Sequence, residues 1–527
     1  MTTDANVSGL SVGAARRLFW ATFAGTLLLK VTLAAGFPFT GDEAFFFQWG
    51  VFPAWGYSDH PPMVGWLLAL LHGVSDSPWV LRSGTLLVTS VIALGIVDVL
   101  RRHLPAGREA GAWLAGAVYL ALPWSWLFVL VTTDTPLILF MALSAWCYLR
   151  ADAADQRSAG WYALAGLFLG LAFLSKYFAV LLGLACAAHI LGWRRPRGWA
   201  LPLMAVTALP SIAVNLGFNA THGWPNVMFN LFNRHEGAHG NLRTPAVYAA
   251  MMAYLLTPWL LWQGLRGRWD AGVPAHLRSA VTALWLLPFA LFAVVSVQRG
   301  IGLHWVLGFV PLFMVWVGLR VEPRALRLSY RATLALSLPH LLLVAAIAWA
   351  PLSLWQKTRF HERLVFMRET PALTAALTAD LPAGATLMAR SYTPAAMLAF
   401  RYGRYVPVFG VGRHHARQDD QIVDFRAYDG RPLRVLDDEV PDLADYRPFF
   451  DQVRQQRIVI DGVSFWVVDG AGFRFAPYRA QVLAEIAHKF HRIPRWLPLQ
   501  GNPFCERYGF TACSPGRGAA PLRPPPG

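Results

Sequence analysis

The feature that leaves this chain the fewest ways to fold is its succession of long apolar runs. They lie near residues 16–36, 79–100, 109–131, 134–150, 159–175, 177–193, 199–218, 246–265, 277–297, 303–320 and 329–350. A bilayer core about 30 Å thick takes roughly 20 apolar residues as a helix, which satisfies every backbone N–H and C=O within one segment. The runs therefore read as about eleven transmembrane helices. Of the 527 residues, 55% are hydrophobic and 14% charged, and the mean hydropathy is +0.39. A soluble domain carries about 25% charged residues, so that class is excluded. Arg16-Arg17 precedes a run that is long enough to span and has no small-residue cleavage site after it. It reads as the first transmembrane helix, not a removed signal peptide.

The net charge of +16 would suit a nucleic-acid partner if it were gathered on one domain. It is dispersed instead. Arg101, Arg102 and Arg108 share one loop. Arg150 and Arg157 share another, and Arg194, Arg195 and Arg197 a third. Arg266, Arg268 and Arg278 follow, then Arg320, Arg324, Arg327 and Arg331. With the N-terminus inside, all of these fall on the cytoplasmic side, as the positive-inside rule requires. The bilayer is thus the expected partner, and no nucleic acid is. The same count puts the loop 37–78, and everything after about residue 352, outside the membrane.

The outward loops have a different chemistry. From Phe37 to Trp79 there is no Lys or Arg, but there are Asp42, Glu43, Asp59, His60 and Asp76. Pro61-Pro62 opens a short apolar stretch that reads as an interfacial helix holding Asp59 and His60 near the surface. Further outward turns carry Asp134, then Lys176-Tyr177, then His222, Trp224 and Arg234, then Arg299 and His304. Acidic, basic and aromatic residues gathered at one membrane–water boundary point to a site there. Bland alternatives stand beside it: His and Trp anchor at interfaces, Lys176 can snorkel, and Asp134 can cap the helix that follows it.

The remainder, 352–515, is richer in charge. Residues 456–460 and 464–468 alternate as strands, and 386–389 reads as a strand followed by a helix over 392–400. A small extracytoplasmic α/β domain is expected. Residues 516–527 form a Pro/Gly/Arg tail expected to be disordered. The outside compartment permits a Cys505–Cys513 disulfide, while Cys147 and Cys186 fall in spans. There is no internal repeat and no CxxC or HExxH spacing. Asp59 and His60 are candidate ligands for a divalent metal ion, without a motif that completes its coordination sphere.

Asp42-Glu43-Ala44 and Gly56-Tyr57-x-Asp59-His60-Pro61-Pro62-Met63-Val64-Gly65-Trp66-Leu67 resemble the bacterial branch of the dolichyl-phosphate-mannose–protein mannosyltransferase-like glycosyltransferases. This is family 39/83 of the GT-C superfamily, which includes lipid A aminoarabinose transferases and lipopolysaccharide-core galacturonosyltransferases. Thr133-Asp134-Thr135-Pro136-Leu137, Ser175-Lys176-Tyr177, Asn219-x-x-His222-Gly223-Trp224-Pro225-Asn226, Gly302-Leu303-His304-Trp305 and Ala389-Arg390-Ser391-Tyr392 extend the match in order. The resemblance implies a polytopic α-helical GT-C domain over 1–351, with about 11–13 transmembrane helices and a catalytic outward loop 37–78.

It also implies transfer of a sugar, with inversion, from a polyprenyl-phosphate donor to a hydroxyl of a glycolipid, glycan or protein. The place would be the periplasmic face of a bacterial inner membrane. A hydroxyl attacking an anomeric carbon needs one general base, and a phosphate leaves without an acid. Asp42 is the expected base, with Glu43 second and Asp59 positioning. Lys176, Arg234, Arg299 and Arg390 are the expected phosphate contacts. Tyr177, His222, Trp224, His304, Tyr392, Asp134 and His60 complete the expected substrate-binding set. Asp59-His60 stands where aminoarabinose transferases carry Glu-Lys, which shifts the resemblance toward the galacturonosyl-type relatives. A transporter and a non-catalytic envelope assembly protein are the rival readings. The transporter should show repeated halves and mid-membrane polar groups, which this sequence lacks.

Overall fold

The computed structural model describes residues 10–153, 158–232, 243–412 and 417–513. The expected tail 516–527 and Arg234 lie outside the described residues. Each of the eleven apolar runs contains helix. Among the described residues, seven helices are long and apolar enough to cross a membrane: Val12–Gly36, Pro78–His103, Ser158–Ser175, Arg195–Thr221, Ala275–Ser296, Leu303–Arg320 and Pro323–Trp349. The helices Arg243–Leu255 and Pro258–Arg266 meet at 83° and make an eighth if taken as one broken span. The runs at 109–131, 134–150 and 177–193 are helical but interrupted, charged at their ends, or short, so length and composition alone pass fewer spans than the sequence suggested.

The chain divides into two compact units. One comprises Met1–Phe37, Trp66–Ala213 and Gly237–Trp349; the other comprises Pro38–Gly65, Val214–Glu236 and Ala350–Gly527. In the first, close helix contact depends on missing side chains. A Cβ on Gly166 would lie 2.3 Å from the Met204 carbonyl oxygen, and one on Gly170 would lie 3.0 Å from Ala208 Cα. Small residues let apolar helices approach where there is no hydrophobic drive between them.

Two cations are fully buried in this unit. Arg82 Nη1 donates to the carbonyls of Ala34 (3.2 Å) and Phe37 (2.8 Å), closing the end of Val12–Gly36 where carbonyls lack intrahelical partners. Lys30 Nζ donates to Thr89 Oγ1 at 2.7 Å and to the Leu86 carbonyl, at the break between Pro78–Leu86 and Val88–His103. The basic loops also meet one another. Arg102 and Arg150 share Asp98, Arg194 pairs with Asp152 at 2.8 Å, and Arg108 reaches Asp270 and the Val321 carbonyl. The loops expected to share one membrane side thus lie together at one end of the helices.

The second unit holds a four-stranded sheet of β1 (Thr386–Ala389), β2 (Leu433–Asp437), β3 (Gln452–Ile460) and β4 (Val463–Ala471), in the order β1-β2-β4-β3. β1 and β2 run parallel; the other pairings are antiparallel. Both faces are covered, so successive residues enter opposite cores. Leu387, Leu436 and Val467 pack with Val365, Leu373 and Leu398, while Met388, Val435 and Val468 pack with Phe409, Tyr446 and Tyr478. The strand runs seen in the sequence fall in β1, β3 and β4. β2, the short Leu-Arg-Val-Leu-Asp, carried no separate signal. Cys505 and Cys513 are disulfide-bonded, and Cys147 and Cys186 are free and buried.

Candidate active site

Thr40 caps the helix Gly41–Val51 through a reciprocal capping box. Its N–H (3.1 Å) and hydroxyl (3.0 Å) donate to Glu43 Oε2, and the Glu43 N–H donates back to Thr40 Oγ1 at 3.4 Å. Glu43 is therefore fully buried, while Asp42, in the same first turn, is exposed.

The helix is seated by aromatics from remote sequence. Phe39 stacks on Phe400 with centroids 4.2 Å apart, Phe45 meets Tyr392 at 4.9 Å, and a Cβ on Gly41 would strike the Thr393 methyl. Tyr392 thus packs against the helix that carries Asp42. Arg390 lies at the end of β1, its guanidinium 3.8 Å from Asp437 Oδ2 and 5.6 Å over the Tyr446 ring.

The segment after this helix is a tightly held loop. Tyr57 stacks on Trp49 with centroids 4.4 Å apart and an interplanar angle of 3°, and its hydroxyl donates to the Trp49 carbonyl at 2.8 Å. Burial pushes the Tyr57 phenol up to about 12, keeping it a neutral donor. A Cβ on Gly65 would lie 2.2 Å from that hydroxyl, and one on Gly56 would lie 2.2 Å from the Phe218 ring. Both glycines of the motif are therefore demanded by close approach. Asn226, fully buried, donates to the Tyr57 carbonyl while its Oδ1 accepts from Asn215 and Asn219. Asn230 donates to the Asp59 carbonyl at 3.1 Å, and the Ser58 N–H donates to Gln418 Oε1 at 2.9 Å.

Within this frame Asp59 is buried, its Oδ2 lying 2.9 Å from His60 Nδ1. The separation suits a hydrogen bond but the alignment does not, so the contact counts as a close charge–dipole pair. Among the described residues no group of three His, Cys, Asp or Glu gathers here or elsewhere. Asp59 and His60 alone supply two donors where a bound cation takes four or more.

His222 and Trp224 are structural in their contacts. His222 stacks on Phe218 at 4.3 Å and meets its carbonyl at 3.0 Å, and burial lowers its pKa. Gly223 and Trp224 are both left-handed, with φ of 78° and 53°. That turn buries the Trp224 indole among Met228, Ile493 and Leu497, with Nε1 donating to the Pro498 carbonyl at 3.0 Å.

Sequence reasoning passed over a buried cluster beside this turn. Arg417 Nε lies 2.9 Å from Asp420 Oδ1, His491 Nε2 lies 3.0 Å from Asp420 Oδ2, and Asn502 holds His491 Nδ1 at 3.3 Å. Burial pushes Asp420 up, but Arg417 and His491 outweigh it and hold the carboxyl below the usual range. With Ser58 and His222 these residues line a pocket that is open to solvent. Their positions in sequence share no spacing that would have revealed it.

In the other unit, Lys176 donates to both oxygens of Asp134, at 2.9 and 3.0 Å, and both side chains are buried. Asp134 is the first residue of its helix, and its N–H is accepted by Thr132 Oγ1. The pair replaces the separate cap and snorkel roles that the sequence allowed. Phe178 lies 4.9 Å from Trp305, bringing the 176–178 and 304–305 turns together. Tyr177 packs on Phe173, His304 is exposed, and Arg299 has no side-chain partner among the described residues.

Residues 59–217 match the family described as dolichyl-phosphate-mannose-protein mannosyltransferase. The lipid A galacturonosyltransferase RgtD of Rhizobium johnstonii is 28% identical over 318 residues, which are 55% of this chain and 62% of RgtD. The chain thus spans less than two thirds of that relative. In structure it is similar to ArnT from Cupriavidus metallidurans bound to undecaprenyl phosphate, with a TM-score of 0.59, 14% identity, and coverage of 85% of this chain and 97% of ArnT. The apo form matches at the same TM-score with 15% identity. The resemblance read from the motifs holds, and the chain has the GT-C membrane fold.

Proposed function

We propose, for a chain with the GT-C membrane fold and a segment shared with the protein mannosyltransferases, a membrane glycosyltransferase. It moves a sugar from a polyprenyl-phosphate carrier to an acceptor hydroxyl at the periplasmic face of a bacterial inner membrane. The observation that carries this reading is the division of labour in Asp42-Glu43. Glu43 is buried in a capping box, whereas Asp42 stands exposed at the same helix end. Acceptor activation needs one carboxylate that substrate can reach, and Asp42 is the exposed member of the pair.

The acceptor oxygen bonds to the anomeric carbon as the carbon–phosphate-oxygen bond breaks. Asp42 takes the hydroxyl proton, and the electron pair leaves on the phosphate. Attack opposite the leaving group inverts the anomeric centre. Lys176, Arg299 and Arg390 are the described cations proposed to offset the leaving charge, together with Arg234. The Lys176 charge is already shared with Asp134, so the pair orients more than it neutralises. Asp59 and His60 position the loop and the acceptor. RgtD is named for lipid A and ArnT was solved with undecaprenyl phosphate, which supports a lipid-linked donor and a glycolipid acceptor.

The test is transfer of radiolabelled sugar from a polyprenyl-phosphate donor to an envelope glycolipid extract by the purified full chain. Label is expected in the glycolipid fraction, and Asp42→Asn is expected to abolish it. Full transfer by that variant would remove Asp42 as the base. Donor carried across vesicles but never consumed would mark a transporter instead.

A further inference from the structure

We propose that the cleft at the carboxyl end of β2, beside the start of the helix that follows β1, binds an uncharged, hydroxyl-rich sugar of the acceptor and discriminates against phosphorylated glycans. The inference rests on the reading of Asp42 as the base. The cleft opens to solvent and holds about 1090 Å³ of space, the open solvent at its mouth included. It is bounded by the first turns of the helices His361–Ala379 and Tyr392–Tyr402, the end of β2, the start of β4, and Gly41, the residue before Asp42. Carboxyl ends of parallel strands are where open α/β sheets receive ligands.

Its lining has two characters. Phe366, Met397 and Phe465 contribute apolar surface to the lining, and Asp437, Asp438 and Glu362 contribute carboxylates. A pyranose has the matching form: an apolar C–H face, and hydroxyls that donate to carboxylates, each of which accepts several hydrogen bonds. Asp437 is held from behind by the Tyr446 hydroxyl and by Arg390, and Asp438 Oδ1 accepts from Ser391 Oγ at 3.3 Å. Both carboxylates are therefore fixed before a ligand arrives.

The charge balance sets the class of sugar. Three carboxylates line the cleft with the guanidinium of Arg363, and a second guanidinium, that of Arg390, lies 3.8 Å from Asp437, so carboxylates outnumber cations by one. A phosphate dianion would meet like charge in a partly enclosed space, which disfavours it. A neutral polyol carries no charge for these carboxylates to repel.

The experiment uses the full chain in detergent, with an N-acetylated glucosamine disaccharide and its bisphosphate as probes, read by calorimetry and saturation-transfer NMR. The neutral sugar is expected to bind at least about tenfold more tightly, a factor set by like-charge exclusion. Asp438→Asn is expected to weaken it about tenfold through the lost acceptor, and Asp438→Arg to reverse the preference. Melting temperatures check that the variants fold, and the wild-type comparison needs no variant. Equal or tighter binding of the bisphosphate, or no binding of either probe, overturns the inference. Lipid-anchored and soluble forms of the disaccharide tell a glycolipid from a free glycan, and preference for the neutral form of either supports the site. Transfer from a polyprenyl donor without this preference would sink the inference and leave the proposed function standing. The preference without transfer would do the reverse.

Discussion

Asp42 and Glu43 are neighbours of the same charge whose environments separate them. Asp42→Asn keeps size and polarity but removes the base, so transfer should fall by about 10²–10⁴-fold with the melting temperature unchanged. Glu43→Ala strips the cap and leaves the half-buried Thr40 donors without their acceptor, so stability should fall by about 1–2 kcal/mol. Transfer assays alongside thermal melts in detergent separate the two; a Glu43→Ala chain that melts like wild type would refute the structural assignment. Asp419 offers a pH test. Its buried carboxyl accepts from the Tyr405 hydroxyl and the Val408 N–H, and burial pushes it up to about 6 from 3.8. Between those values the folded chain holds a proton that the unfolded chain has lost. This contribution is fully present below about pH 4 and disappears as pH rises through 6. It amounts to about 3 kcal/mol at roughly 1.4 kcal/mol per pH unit. Melting temperatures of wild type and Asp419→Asn across this window should converge or cross, and parallel curves would contradict it.

At the scale of elements, the loop from Gly56 to Gly65 is held by its neighbours more than by its own hydrogen bonds. Gly65→Ala places a methyl 2.2 Å from the Tyr57 hydroxyl and must displace the Tyr57–Trp49 stack. A cost of about 1–3 kcal/mol is expected, with transfer falling in step, as measured by melting and by activity per folded chain. The Asp134–Lys176 pair links the start of one helix to the end of another. Lys176→Met alone leaves a buried carboxylate uncompensated and should cost about 3–5 kcal/mol. Asp134→Asn with Lys176→Met should recover most of that stability without recovering transfer. A double variant that regains activity would show the pair to be purely structural.

For the whole molecule, the charge of the loops makes the strongest prediction. Alkaline phosphatase fused after residue 352 should be active outside the inner membrane, and fused after residue 195 it should be inactive. The opposite pattern would place the Asp42 loop on the cytoplasmic side and defeat the proposed chemistry. The basic loops meet one another through Arg108–Asp270, Arg150–Asp98 and Arg194–Asp152, which agrees with their sharing one side.

Much of the fold was legible because its causes are local. Apolar length dictates a membrane helix, proline opens one, and alternation marks β3 and β4. The Thr40–Glu43 spacing is itself a capping-box signature, readable once the helix start is known. The sequence by itself therefore determined the helical membrane architecture, the acidic loop that lacks Lys and Arg, and the order of its motifs. Three outcomes required tertiary structure. β2 is buried on both faces, so it lacks the alternation that reveals a strand. Lys30 and Arg82 sit inside apolar helices, and only the broken helix ends beside them explain their charge. The cleft beside Gly41 is assembled from segments more than 300 residues apart. Local propensity acts over a few residues, whereas a site depends on which distant side chains close packing brings within hydrogen-bonding reach.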